Sequence, residues 1–209
     1  SFPTRRSSDL ILLREVHHRV KNNMQIISSI LRMQGRIIDD QKLKDILQES
    51  QNRIHSMALI HENLYNNKNL ADIKFSSYIK SLSGNIARTY ASQQANVKFD
   101  YQIDDAYLPM DVAIPCGLII NELISNAFKY AFVDKANGTI CIRFKLIEEG
   151  EFLLTVCDDG IGIPTEIDIT KTKSLGMKII HKLVQQIEGE LQSDFSNGTK
   201  FTIKFKLSN

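Results

Sequence analysis

The chain has 209 residues, enough for one large domain or two small ones, and its 43% hydrophobic and 24% charged residues are ordinary for a globular fold. The 26 Lys and Arg are offset by 24 Asp and Glu, so a net charge of +2 gives no case for a nucleic-acid-binding surface. No apolar run reads as long enough for a bilayer-spanning helix, no signal peptide is evident, and the three scattered cysteines (Cys116, Cys141, Cys157) form no CxxC pair. They are expected to be reduced packing residues of a cytoplasmic protein. Residues 1–9, SFPTRRSSD, read like the in-frame translation of a common sequencing adapter. They are expected to be foreign to the fold, with the natural protein continuing upstream.

From residue 10 to about 36 the apolar residues Leu13, Val16, Val20, Met24, Ile27 and Leu31 recur at helical spacing. After a break near Gly35 and residues 39–41, a second stripe runs through Leu43, Ile46, Leu47, Ile54, Met57, Ile60 and Leu64. Two such helices make a hairpin over residues 10–68, and one hairpin buries only one side of each stripe. Pairing two copies into a four-helix bundle is therefore expected. NNKNLADIK follows as a linker, then a helix over 75–91. Beyond it the period changes to two: VKFDYQI, TICIRFKL, FLLTV and KFTIKFKL alternate apolar and polar positions, and EEGE at 148–151 reads as a hairpin turn. Helices over 112–131 and 174–186 would cover the apolar face. The predicted fold class is α+β, a helical hairpin followed over 69–209 by an α/β sandwich with a mixed sheet.

Three motifs in the second half carry chemistry. In NELISNAFK, at about 100° per residue, Glu122, Asn126 and Lys129 fall within roughly 60° of one another, opposite Ile120, Leu123, Ile124 and Ala127. A carboxylate, an amide and an ammonium on one side suit a magnesium-bound triphosphate, as a solvated polar face also would. DDGIGI follows the strand FLLTV; its Asp158 can accept from an exocyclic amine such as adenine's, and Gly160 and Gly162 let backbone approach a ligand. KTKSLGMKII opens a helix at Ser174, Leu175, Gly176 and Met177, and a helix N-terminus is a ready anion site. The polar loop 164–173 before it could close as a lid. NGTKF, with Thr199, begins the last strand.

In this order the four segments resemble the N, G1, G2 and terminal G boxes of the GHKL ATPase superfamily, which includes histidine kinases, gyrase-type topoisomerases, Hsp90 chaperones and mismatch-repair proteins. The resemblance covers roughly 75–207. It implies ATP and Mg²⁺ as cofactors, with Asn126 and Glu122 as Mg²⁺ ligands and Glu122 also the polarising or general-base carboxylate. It implies Asp158 as adenine reader, with Gly160, Gly162 and Gly176 shaping pocket and lid. Lys129, Leu175, Met177 and Thr199 complete the expected ATP contacts. Ser174 departs from the pattern, standing where many members carry the first glycine of the G2 box, and no clear phenylalanine box lies between G1 and G2.

The first helix suggests an acceptor for the phosphoryl group. Relative to the stripe Leu13–Val16–Val20–Met24–Ile27–Leu31, His17 lies roughly 50° from its middle and His18 roughly 150° away, on the wet side. An imidazole that another domain's ATP must reach has to be exposed, so the phase selects His18. Glu15 and Asn22 share its side of the helix, where they can set the ring tautomer, and Arg19 and Lys21 could steady phosphoryl oxygens. EVHHRVKNNMQIISSILRMQ resembles the HRxKN phosphoacceptor box of one group of bacterial sensor histidine kinases, and RIHSMALIHENLY resembles that group's second dimerisation helix. The related Trp-x-Glu branch is excluded by the absence of tryptophan. The resemblance implies autophosphorylation of a histidine from ATP and transfer to an aspartate on a response-regulator receiver domain. The expected partners are a second copy of the chain and that receiver domain, with no nucleic acid and no membrane contact within this stretch. His55, His61 and His181 are expected to be non-catalytic. Two alternatives stay open, a GHKL ATPase or anti-sigma-type serine kinase and a non-enzymatic dimeric scaffold with a vestigial pocket.

Overall fold

The computed structural model describes residues 4–66, 72–90, 96–132, 135, 137–163 and 174–207. Helix α1 (Thr4–Ile37) and helix α2 (Gln41–Asn66) form the hairpin, with α1 including residues 4–9 of the stretch expected to be foreign. Asp40 closes the turn between them by accepting the Lys42 N–H at 2.8 Å, an N-terminal cap for α2. The linker 67–71 lies outside the described residues.

The α1–α2 seam follows a heptad. Among the covered positions of α1, His17, Lys21, Met24, Ser28, Leu31 and Gly35 are spaced four and three residues in turn, with Val20 covered beside them. A second apolar stripe stays open to solvent in the single chain: Val16, Ile27, Ile30 and Ile37 on α1, Leu43 and Ile46 on α2. The expected stripe of α1 is thus split between two faces. Met24 and Leu31 point toward α2, while Val16 and Ile27 are nearly half exposed.

Strand β1 (Asp72–Lys74) leads into α3 (Phe75–Tyr90) and pairs antiparallel with β3 (Tyr107–Pro109). The main sheet contains β2 (Val97–Ile103), β4 (Gly138–Glu148), β5 (Glu151–Asp158), β6 (Glu190–Asp194) and β7 (Thr199–Lys206), in the order β2-β4-β5-β7-β6. β2 and β4 run parallel and the other pairs antiparallel, giving the mixed sheet expected. One face is packed by α3, α4 (Met110–Asn126) and α5 (Leu175–Gln186). Phe144, Phe152 and Phe205 stack across three neighbouring strands at centroid spacings of 5.1 and 5.7 Å, and Phe75 meets Phe144 edge-on at 4.7 Å.

Two sequence expectations are corrected. Cys141 and Cys157 sit directly opposite each other across β4 and β5, with Cα atoms 5.0 Å apart, and are joined as a disulfide. The turn at residues 149–150 folds the two strands back so that cysteines eight positions either side of 149 coincide. Cys116 alone is a buried free thiol. Secondly, residues 110–131 are long and apolar enough, by length and composition, to cross a membrane. However, 78% of the apolar window is buried within the fold, which accounts for its hydropathy without a bilayer.

Candidate functional site

A cavity of about 680 Å³ opens between α4, the ends of β5 and β7, and the start of α5. That volume lies within the range that takes a small-molecule ligand, about 300–1,000 Å³. Of the residues expected to contact nucleotide, Glu122, Asn126, Asp158, Gly162, Leu175, Gly176, Met177 and Thr199 all line it. Four separated segments of sequence thus reach one cleft.

Each wall follows from its local structure. Asp158 is the last residue of β5, and its Oδ1 accepts from the backbone N–H of Gly160 at 2.9 Å and of Thr199 at 3.2 Å. The Asp158–Thr199 register between β5 and β7 makes the second bond possible. Burial raises the Asp158 pKa above its ordinary value of 3.8, although these N–H donors oppose the rise. Gly162 has φ +72°, a left-handed conformation that suits glycine, and a Cβ there would stand 3.1 Å from the Gly198 carbonyl oxygen. The departure at Ser174 has a physical reason. Ser174 is the N-cap of α5, and its Oγ accepts the Met177 N–H at 3.3 Å, a bond that a glycine cannot make. Behind it, a Cβ on Gly176 would lie 3.0 Å from Glu122 Oε2, so the start of α5 is packed close to that carboxylate.

Gly160 and Lys129 sit differently from expectation. Gly160 does not line the cavity; a Cβ there would overlap Ala131, and the Ile161 N–H donates to the Ala131 carbonyl at 2.9 Å, so this glycine lets the loop lie against the end of α4. At Ala127 the helix changes from α to π turns, which persist to Ala131. A wider turn advances less than about 100° per residue, so Lys129 falls behind the phase that grouped it with Glu122 and Asn126. It is outside the lining and forms an ion pair with Glu49 of α2. The expected lid, residues 164–173, lies outside the described residues.

The hairpin contributes what sequence reasoning missed. Glu49 lines the cavity, and Arg53 grips Glu122 with two bonds, Nε to Oε1 at 2.6 Å and Nη2 to Oε2 at 2.8 Å. Glu49 and Arg53 are also paired with each other at 3.4 Å. That i,i+4 spacing reads from sequence as an ordinary solvated helix pair. Tyr130, Ile161 and Ile163 add apolar wall that no motif flagged.

His17 and His18 point in different directions, as the helical phase requires. His17 is 7% exposed and its Nδ1 lies 3.0 Å from Nδ1 of His61, whereas His18 is exposed. Asn22 Nδ2 is 3.3 Å from His18 Nδ1. Glu15 is ion-paired with Arg19, and Lys21 with Glu62, each at 2.8 Å. His55 and His181 are exposed.

A helical hairpin with an exposed histidine, followed by a mixed-sheet sandwich with a cleft at the ends of its strands, defines a histidine kinase phosphoacceptor unit joined to a GHKL-type ATPase unit. Residues 15–90 match the family described as histidine kinase, and residues 111–209 match the histidine kinase-, DNA gyrase B- and HSP90-like ATPase family. The chain belongs to the histidine kinases. It is 32% identical over 182 residues to the sensor histidine kinase PdtaS of Mycobacterium tuberculosis, covering 86% of this chain and 36% of that protein. Blue-light-activated histidine kinase 2 of Erythrobacter litoralis is 28% identical over 201 residues, covering 94% of this chain and 57% of the relative. The histidine kinase domain of the Erythrobacter litoralis EL346 blue-light-activated kinase superposes with a TM-score of 0.69 at 28% identity, covering 92% of each chain. The chain thus spans about a third to just over half of the length of these full-length relatives.

Proposed function

We propose that the chain is the kinase core of a two-component sensor, which binds ATP with Mg²⁺ in the cleft, phosphorylates His18 and passes the phosphoryl group to an aspartate of a receiver domain. The observation that carries this reading is the cleft: motifs far apart in sequence converge on one cavity of nucleotide size, in a chain that also presents an exposed histidine. ATP-binding is implied by the ATPase family matched over 111–209. The donor set suits Mg²⁺. That ion prefers one or two protein oxygens and completes its shell with water and phosphate oxygens. The Asn126 amide and the Glu122 carboxylate supply this, and among the described residues no richer cluster of acidic, His or Cys ligands exists.

Asp158 would hold the adenine amine, and the α5 N-terminus at Ser174–Met177 would face the phosphates. The Asn22 amide nitrogen, 3.3 Å from His18 Nδ1, orients the His18 ring. The chain's contribution to the transfer is orientation and charge neutralisation, as in phosphoryl transfer generally. The open stripe of Val16, Ile27, Ile30, Ile37, Leu43 and Ile46 supports a homodimer through a four-helix bundle. Incubation with γ-labelled ATP and Mg²⁺ tests the reaction. Label that is acid-labile and alkali-stable is expected, whereas acid-stable label would support the serine kinase reading and no label the scaffold.

The raised pKa of Asp158 gives a pH prediction. The ionised carboxylate is the stronger acceptor for the adenine amine, and burial favours the protonated form. ATP affinity should therefore weaken as pH falls through a value above 3.8, the ordinary Asp value. Asp158→Asn should bind weakly at all pH values and lack this acid limb, as read by calorimetric titration across pH.

A further inference from the structure

We propose that Arg53 and Glu49 of α2 form a latch that holds the ATPase unit in a non-transferring position on the hairpin. The inference rests on the reading of His18 as acceptor and of the cleft as the ATP site. Its first support is the state of Glu122. Both carboxylate oxygens are engaged by Arg53, at 2.6 and 2.8 Å, with the two side chains only 12% and 7% exposed. A bidentate guanidinium fork occupies the lone pairs that a metal or a proton in flight would use. Arg53 and a Glu122-bound Mg²⁺ therefore compete for the same carboxylate.

The second point of attachment repeats the pattern. Glu49 pairs with Lys129 at the π turn while lining the cavity, and it also touches Arg53. Two of these four charged groups, Glu49 and Glu122, line the cleft that a bound magnesium triphosphate would enter. A further bond, Ser56 Oγ to Asn121 Oδ1 at 3.1 Å, keeps α2 seated on α4.

Register along the hairpin is the third and independent support. His17 lies against His61 and Lys21 against Glu62, so His18 stands level with residues 61–62 of α2. Arg53 and Glu49 lie eight and twelve residues before His61, about 12 and 18 Å back along the helix at 1.5 Å per residue. Reacting atoms must come to about 3–3.5 Å. In a bundle of two parallel copies the partner's acceptor stands at the same height, so neither transfer within a chain nor transfer across the dimer is in reach. The docked arrangement serves as the resting state. Phosphorylation requires Arg53 to release Glu122 and the ATPase unit to move by two to three helical turns toward His18, a step that bound ATP–Mg²⁺ favours by claiming Glu122.

Arg53→Gln in the whole chain tests this. Initial autophosphorylation with γ-labelled ATP–Mg²⁺ should rise about tenfold, the scale of a typical coupling between sites. ATP–Mg²⁺ affinity should be equal to or tighter than that of the unaltered protein, and Arg53→Lys, a point charge without the fork, should lie between. A purely structural Arg53 would lower the rate in both variants. An unchanged or reduced rate in Arg53→Gln, with ATP still bound and label still on His18, overturns the latch. Should Arg53→Gln fail to fold, Glu49→Gln carries the test through the second point, with a severalfold rise expected and no rise overturning the proposal. Label that survives in the Arg53→Gln/His18→Gln double variant overturns the acceptor assignment and the register argument built on it.

Discussion

His18→Gln should abolish incorporation of phosphate from ATP, by more than about a thousandfold, because the attacking atom itself is removed. ATP affinity should be unchanged, since His18 is remote from the cleft lining. The matched change at the neighbouring position separates exposure from burial. His17→Gln should keep the label, because His17 is buried against His61 and has no path to an incoming nucleotide. Its effect should fall on stability. Removing one ring leaves the other's polar nitrogen without its partner, a loss of about 1–3 kcal/mol.

The pH dependence of stability distinguishes the two histidines further. Burial lowers the pKa of both His17 and His61 below 6.5. The unfolded chain therefore binds more protons than the folded one below that pH, and stability declines as pH falls from about 6.5 toward the lowered values. This slope should shrink in His17→Gln and persist in His18→Gln. Phosphoimaging paired with thermal melts at two pH values reads both effects. Loss of label in His17→Gln with retention in His18→Gln would reverse the acceptor assignment.

Why an exposed His18 could be told from a buried His17 in sequence, while the Arg53–Glu122 contact could not, is a matter of what periodicity encodes. A helix's phase is local, so one stripe of apolar residues orients every side chain on α1. The four nucleotide motifs were legible for a similar reason, because each is a short local signal. The long strands β2, β4, β5 and β7 repeat their alternation over seven to eleven residues and could be read in the same way. β1 and β3 have three residues each, too few to show a period, and β6 is an edge strand reading ELQSD with a largely exposed pattern. Contacts between distant elements leave no such trace. Arg53 and Glu122 are 69 residues apart, and neither position looks unusual in its own helix. The Cys141–Cys157 pair was within reach, since the predicted turn at 148–151 is centred between them, but pairing by motif spacing alone passes over it. The displacement of Lys129 is intermediate: the face was read correctly for a regular helix, and the π turn then shifted it.

Gly198→Ala should cost both stability and nucleotide affinity, and the reason is geometric. Gly198 has φ +82°, which an L side chain adopts at about 1–2 kcal/mol. A Cβ there would also overlap the carbonyl oxygen of Asp158 and stand 3.2 Å from Cα of Asp159. Backbone cannot rotate away as a side-chain tip can, and forcing such a contact costs about 1–3 kcal/mol more. Together this is a large share of the roughly 5–15 kcal/mol that keeps a domain folded. The same displacement reaches the cleft, because the next residue, Thr199, gives its N–H to Asp158 Oδ1 at 3.2 Å. Moving that donor releases the carboxylate from its position at the end of β5, so ATP affinity should fall more than tenfold in the folded variant. Gly84→Ala is the control. It lies inside α3 with nothing within 4 Å of the added methyl, and it should gain about 0.5–1 kcal/mol through helix preference alone. Urea melts and ATP titrations on the two variants check both halves of the argument. Destabilisation of Gly198→Ala with ATP affinity intact would show that the turn supports the sheet without positioning Asp158.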